Sequence, residues 1–470
     1  METLEKKKKR EFPDCFIILF LLIVVVWAAS FIIPSGEYAR YYDETTGRQV
    51  VDATSFAFVE KENLGIFDLL TAVHDGFVQA ADIIIMTLLI GAAFGVIKKI
   101  GVIDLAVKKL AFRFKDKGLL VIPILMFVFS QVDNFTGTCE LCMIYVPVIY
   151  PLIIALGFDP ITACATALIG SAVGFTAAFA NPFTVIISQK LAGLPLYSGA
   201  LFRIAVYVCT FAVAALYVCN YAKKVRKDPT KSIMYNPDKP WGSASISDIE
   251  DVKFTKQQTA AGIGFLAVFA AMIFAVVAFG MGDFNQLDAF FLLLCIVPGI
   301  LGGLSSKELV DGIMEGCCNM LYGALLIGVA RGVSVIMANG GIMDTIVYAL
   351  ATVVQKLPPF MTAIGMQIVQ NLINFLIPSG SGQAVVTMPI MLPLADVTGV
   401  TRQTAILAYQ WGDGLSNIFW PTMGYMIASI GFAGVSYDKW IKWLWKPFIL
   451  LTLCGWVALV IAQFIGWGPF

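Results

Sequence analysis

Asn374-Phe375-Leu376-Ile377-Pro378-Ser379-Gly380-Ser381-Gly382-Gln383 interrupts an otherwise apolar run, 359–395, with proline, glycine, hydroxyl and amide groups. At bilayer depth such a stretch survives only where it lines a cavity or is buried against protein. The run therefore reads as a re-entrant hairpin that enters and leaves by one face. A second interruption lies 240 residues earlier, where Asp133-Asn134-Phe135-Thr136-Gly137-Thr138-Cys139-Glu140 divides the run 119–156. The same spacing of 240 relates Asp75-Gly76 to Glu315-Gly316, Gly101 to Gly341, Asp104 to Asp344 and Gly174 to Gly414. Pro147 and Pro151 recur as Pro389 and Pro393, two residues out of step, as a small insertion would make them. The chain reads as a duplication. Its first repeat is 1–221, the polar stretch 222–256 is a linker, and 257–470 holds a connecting span and the second repeat.

Composition sets the solvent. Of 470 residues, 59% are hydrophobic and 14% charged, with a mean hydropathy of +0.82, which places the chain in a lipid bilayer. Formal charge balances at zero with a single histidine, so a nucleic-acid partner is excluded. The basic run Lys6–Arg10 precedes an apolar stretch, Phe16–Ile33, that ends in Ile32-Ile33-Pro34 rather than in small residues. It reads as a retained first span with a cytoplasmic N-terminus, not a cleaved signal. Ten cysteines are scattered, and Cys139-x-x-Cys142 has no second pair and no histidine beside it, so no metal site or cofactor is expected.

Nine runs are long enough to span, near 16–33, 82–97, 160–192, 200–221, 258–281, 286–303, 319–338, 402–432 and 448–466. With 119–156 and 359–395 as hairpins, the strongly basic segments 98–118 and 222–256 fall inside, and the acidic segment 34–64 falls outside, as the positive-inside rule demands. The first hairpin then faces the cytoplasm, the second faces out, and the C-terminus lies outside. The expected fold is an all-α polytopic membrane protein of two inverted-topology repeats, in the cytoplasmic (inner) membrane.

Polar anomalies cluster at two places in each repeat. The hairpin tips offer Asp133, Asn134, Thr136, Thr138 and Glu140, and Asn374, Ser379, Gly380, Ser381 and Gln383. The later helices, 160–192 and 402–432, carry glycines and a mid-depth proline, Pro182 and Pro421, and so are expected to be broken there. They offer Asn181 and Thr184, and Asp413, Ser416, Asn417 and Thr422. Freed backbone groups at such breaks, together with these side chains, can bind a solute or an ion. Asp133, Glu140, Asp413 and Arg331 are ionisable residues inside apolar segments, where charge is costly and is kept mainly for function. Segment 66–80, with His74 on its wet face, reads as a surface helix, and 305–318 and the Trp440, Trp443 and Trp445 segment share that character.

Paired hairpin tips, paired proline-containing breaks and nine spans resemble the ion-transporter superfamily. Within it, Asn374–Gln383 and Gly412-Asp413-Gly414-Leu415-Ser416-Asn417 make the whole chain similar to the YfcC/C4-dicarboxylate anaerobic carrier-like family, which includes proteins described as arginine/ornithine antiporters. The resemblance implies a homodimer whose hairpins and broken helices move as an elevator-like transport domain. Sodium-coupled relatives place Ser-Asn-Thr at each tip, whereas these tips read Asp133-Asn134-Phe135-Thr136 and Pro378-Ser379-Gly380-Ser381. Coupling to H+ or Na+ is left open.

The expected function is secondary active transport of small organic ions. Three acids against one arginine favour a basic amino acid, arginine exchanged for ornithine, over a dianion. An ion-coupled carrier of C4-dicarboxylates or other carboxylates is the alternative. A passive channel and an intramembrane aspartyl protease are remote: Gly412-Asp413 lacks the preceding Gly-x, position 410 being Gln, and Tyr437-Asp438 reads as surface. The chain is not read as an enzyme.

Overall fold

Glycines, prolines and polar caps cut the apolar runs into 17 α-helices among the described residues, which in this computed structural model are 15–44, 48–60, 64–103, 105–106, 109, 117–237, 254–279, 281 and 284–468. Helix α1 (Cys15–Ser30) leads into four short strands, β1 (Gly36–Glu37), β2 (Arg40–Asp43), β3 (Arg48–Val51) and β4 (Ala57–Phe58). These pair antiparallel as β1 with β4 and β2 with β3. Asp344 pins them to the second half, accepting from both the Tyr38 amide at 3.0 Å and Arg40 Nη2 at 2.9 Å.

Helices α2 (Ile66–Gln79) and α3 (Ala81–Lys99) pack on a 34-residue helix, α11 (Ser306–Asn339). Glycines decide how closely. A β-carbon at Gly91 or Gly95 would collide with the carbonyls of Gly316 or Gly312, so two Gly-x-x-x-Gly pairs face each other, and Gly76 sits equally bare against Gly328 and Gly332. In lipid, where apolar side chains gain nothing by leaving solvent, such backbone contact supplies the association energy.

Each half also carries a helical hairpin and a helix that unwinds. The first hairpin is α4 (Gly118–Thr136) and α5 (Cys142–Ala155), joined by a 3-10 turn, Cys139–Leu141; the second is α13 (Pro359–Leu376) and α14 (Gly380–Thr398). After the first comes α6 (Pro160–Thr176), which breaks and resumes as a π-helical turn, Pro182–Ile186, and α7 (Ile187–Leu191). After the second comes α15 (Arg402–Ser416), which breaks and resumes as α16 (Gly424–Phe432). Helix α8 (Ala200–Lys227) follows in the first half; α9 (Lys256–Phe279) and α10 (Phe284–Leu301) open the second, α12 (Met343–Gln355) precedes its hairpin, and α17 (Tyr437–Phe464) ends it.

Backbone details recur at matched spacing in the two halves. Gly101 and Gly341, 240 apart, both have positive φ, at +82° and +62°. Between the tips and the starts of the later helices the spacing is 242: Gly157 and Gly399 have φ of +84° and +74°, and Asp159 and Thr401 are the side-chain N-caps of α6 and α15. The two-residue insertion therefore lies at the second tip. The halves are interlocked, since α16 packs on α5 of the first hairpin, while α7 and the π turn pack on α14 of the second.

Several expectations are corrected. Segment 305–318 is not a separate surface helix. Ser305 and Glu308 form a capping box, and nothing after it stops the helix, so it continues into the 319–338 span as α11. Trp440 and Trp443 are likewise in the first turns of α17 and are 0% and 6% exposed. Strands β1 to β4 and the amphipathic α12 were not foreseen. Among the described residues six helices are long and apolar enough to cross a membrane, α3, α4, α8, α10, α11 and α17, where nine spans were expected. Among the described residues α1 covers Cys15–Ser30, and α6 spans only 17 residues because the chain unwinds after Thr176. His74 is exposed beside Asp75 on α2, as expected.

Candidate substrate site between the hairpin tips

Gly137 closes α4 at φ +67°, the left-handed conformation a helix C-cap wants, and a β-carbon there would lie 2.5 Å from Asn181 Oδ1. The first tip is thereby seated on the first break, whose Asn181 accepts from the amides of Phe183 at 2.8 Å and Thr184 at 3.1 Å. At the second tip Ser379 caps α14 through the Gly382 amide. A methyl on Gly380 would lie 3.1 Å from the Phe175 ring, 3.2 Å from Asp413 Oδ2 and 3.2 Å from Thr184 Cγ2. The second tip thus rests where the two broken helices cross.

Asn134 and Asn374, read as tip residues, stand instead in the last turn of each first arm, fully buried. They act as latches. Asn134 Oδ1 accepts from the Phe179 amide at 2.9 Å. Asn374 Nδ2 faces Asp413 O at 2.8 Å, Ser416 Oγ at 2.6 Å and Asn417 Oδ1 at 2.6 Å. Each ties its hairpin to the broken helix of its own repeat.

A cavity of about 350 Å³ opens between the tips. Thr138 and Glu140 from the first tip and Ser379, Gly380 and Ser381 from the second line it, opposite Asp82 of α3 and Arg331 of α11. A smaller chamber of about 70 Å³ shares Glu140, Arg331 and Ser379 and reaches Asn417 and Thr422 at the second break. The other expected residues do not line these spaces. Asp133 is buried against the Ser171 hydroxyl, Thr136 bonds the Thr138 hydroxyl at 2.7 Å, and Gln383 Nε2 donates to Gln370 Oε1 at 2.7 Å. Thr184 and Asp413 are also fully buried, and neither oxygen of Asp413 has a hydrogen-bond partner among the described residues. Ser416 donates to Gly412 O at 2.6 Å.

Arg331 forms no ion pair among the described residues, and its buried Nε is without a partner. Glu140 and Arg331 therefore line one space without pairing with each other. The N-terminus of α14 adds backbone amides at Gly380 and Ser381, a place for an anion. Cys139 and Cys142 are free and buried, as packing residues would be.

Sequence reading missed Asp82, Gln410 and Arg203. Asp82 stands at the start of a span, where an acidic residue is ordinary, and Arg203, four residues into α8, stands at a helix start too, yet is 1% exposed. Gln410 is a neutral amide whose three hydrogen-bond partners, Arg203, Phe175 and Ala178, all lie in the other half, so no local pattern marks it.

The chain is 29% identical over 492 residues to a protein of Escherichia coli (strain K12) named "Putative basic amino acid antiporter YfcC", covering 97% of each. It is 26% identical over 504 residues to an uncharacterized protein of Haemophilus influenzae, covering 98% of this chain and 99% of the other. Among solved structures it superposes loosely on the YdaH transporter of Alcanivorax borkumensis, at TM-score 0.43 and 16% identity over 97% of this chain and 100% of that one. MtrF of Neisseria gonorrhoeae gives TM-score 0.43 and 19% identity over 97% and 96%. The profile of the C4-dicarboxylate anaerobic carriers, DcuC, runs from residue 12 to residue 464. Matched over nearly its whole length, the chain is a multi-pass membrane transporter, not an enzyme, and belongs to the C4-dicarboxylate anaerobic carrier family.

Proposed function

We propose that the protein is a secondary active transporter that exchanges basic amino acids, arginine for ornithine, across the cytoplasmic membrane. The observation that carries this reading is the charge of the tip cavity. Asp82 and Glu140 face one arginine, Arg331. An amino acid with a cationic side chain has one carboxylate and two cationic groups, so each of its charges meets an opposite one. A dicarboxylate would place two negative charges against a single cation and beside two acids, a mismatch of several kcal/mol unless protons intervene. The printed name of the Escherichia coli relative is consistent with this choice.

In this reading Arg331 and the amides opening α14 hold the α-carboxylate, while Glu140 and Asp82 take the ammonium and the side-chain cation. The two repeats lie inverted in the bilayer, N-terminus in the cytoplasm and C-terminus outside, and the chain works as a homodimer in which hairpins and broken helices move past a scaffold of α2, α3 and α11. The glycine crossings of that scaffold support such a division, because backbone-to-backbone contact makes a rigid unit. A C4-dicarboxylate is the second reading, favoured by the family's name and by Arg331 sharing the cavity with the N-terminus of α14.

Counterflow in proteoliposomes decides between them. Vesicles loaded with arginine are expected to take up labelled ornithine and arginine and to ignore succinate. Uptake of succinate without uptake of either basic amino acid refutes the first reading. Flux that never saturates and shows no counterflow would mean a channel.

A further inference from the structure

Unwinding a helix at bilayer depth frees carbonyl oxygens, and in transporters with broken helices those oxygens are a place to hold a coupling cation. In this chain donors of the protein already occupy several of them. At the first break Gln410 Nε2 donates to Phe175 O at 3.1 Å and to Ala178 O at 2.9 Å. The amide cannot turn round. Its Oε1 accepts from Arg203 Nη1, which can only donate, and the two carbonyls can only accept, so the orientation of the amide is forced by its partners. Gln410 is fully buried, Arg203 is 1% exposed, and the guanidinium is held over the Trp467 ring at 5.3 Å.

The second break is closed by different residues to the same effect. Trp440 Nε1 donates to Ile418 O at 2.9 Å, the Tyr437 hydroxyl donates to Phe419 O at 2.9 Å, and Asn374 Nδ2 donates to Asp413 O at 2.8 Å. Each donor is neutral and comes from another element. A sodium-sized ion could reach these oxygens only by displacing them.

We infer that Gln410, oriented by Arg203, occupies the Phe175 and Ala178 carbonyls of the first break as a built-in substitute for a coupling cation, and that the protein transports with no sodium-type ion on these carbonyls. The inference goes beyond the substrate assignment and does not depend on it. Gln410 and Arg203 are positioning residues: Gln410 touches the unwound backbone and Arg203 holds Gln410, and neither lines the tip cavity. Because Gln410 belongs to α15 and the carbonyls to the first repeat, the amide also fixes how the two broken helices cross. An ion would fill and empty such a place during transport, whereas an amide keeps it occupied throughout.

The test uses the purified full-length protein in sodium chloride, lithium chloride or choline chloride of equal concentration. Its melting temperature and its labelled-arginine counterflow are expected to be the same in all three. The Gln410→Ser variant, which withdraws the amide and exposes the Phe175 and Ala178 carbonyls, is expected to melt lower in choline and to recover in sodium or lithium. A wild-type protein that melts higher in sodium, or exchanges several-fold faster in it, overturns the inference. So does a Gln410→Ser variant whose melting ignores the cation. If that variant does not fold, the wild-type comparison still decides. Melting needs no cargo, so the result stands even if arginine proves not to be transported.

Discussion

Replacing Asn374 with alanine should cost more stability than replacing its counterpart Asn134, although both end the first arm of a hairpin and both are fully buried. The amide of Asn374 has two N–H groups facing three acceptors, Asp413 O, Ser416 Oγ and Asn417 Oδ1, at 2.8, 2.6 and 2.6 Å. Two buried hydrogen bonds contribute about 1 kcal/mol each, and an acceptor left without a donor costs a further ~1–3 kcal/mol. Ser416 Oγ already gives its proton to Gly412 O at 2.6 Å, while the substitution also removes Asn374 Oδ1, which is buried with no partner among the described residues, so the expected loss is about 2–4 kcal/mol. Asn134 makes one such bond, accepting from the Phe179 amide at 2.9 Å, and its Nδ2 is buried with no partner among the described residues. Removing it deletes one bond and one unsatisfied donor together, for a net loss of about 1 kcal/mol. Unfolding in mixed micelles, with rising SDS, ranks the two variants. The double variant with Ser416→Ala should deviate from additivity by at least ~0.5 kcal/mol. Equal losses for Asn134→Ala and Asn374→Ala, or strict additivity with Ser416→Ala, would refute the latch argument.

Three further outcomes are expected. Arg331→Met should raise the KM for arginine counterflow by about tenfold or more, as loss of a charge-assisted contact of ~1.5–3 kcal/mol would. Glu140→Gln should weaken arginine more than a neutral amino acid in competition assays, and an equal effect on both would remove Glu140 from cation recognition. Gly91→Ala should lower the yield of folded protein, since its β-carbon meets the Gly316 carbonyl, at an overpacking cost of about 1–3 kcal/mol. Gly65→Ala, whose β-carbon would meet only Asp68 Oδ2 at 3.5 Å, should be tolerated, and expression-level chromatography compares the two. Outside the membrane, hydrogen bonds from the Ser305 hydroxyl and amide hold the Glu308 carboxyl below its usual range. Its contribution is therefore present above the ordinary glutamate range and lost as pH falls through the lowered value. The difference in melting temperature between wild type and Glu308→Gln should vanish over that acid window and be constant from there to neutrality.

Much of the architecture could be read before any coordinates. Membrane residence followed from composition, and the hairpins and breaks followed from glycine, proline and amide groups where lipid tolerates none. What misled was context. The acidic turns of 305–318 looked like a surface helix because a charged start and an apolar continuation were treated as separate elements, whereas helical hydrogen bonding runs straight through. The candidate site was legible as a set of polar anomalies, but not as a division of labour. Thr138, Glu140, Ser379, Gly380 and Ser381 line the cavity, while Asp133, Asn134, Gln383 and Asn374 are spent on holding elements together. Asp82, Gln410 and Arg203 carried no pattern to be seen.

Local chemistry determined what the sequence could say alone: a solvent of lipid, a duplication spaced by about 240 residues, and irregular backbone at two places in each half. Only tertiary structure decided which polar groups face open space and which face one another. That choice depends on partners from the other half: Arg331 reaches the tips from α11, Gln410 reaches the break of α6 from α15, and Gly316 meets Gly91 across 225 residues of chain. No local rule encodes such a pairing, because each residue's role is set by the backbone that packing brings against it.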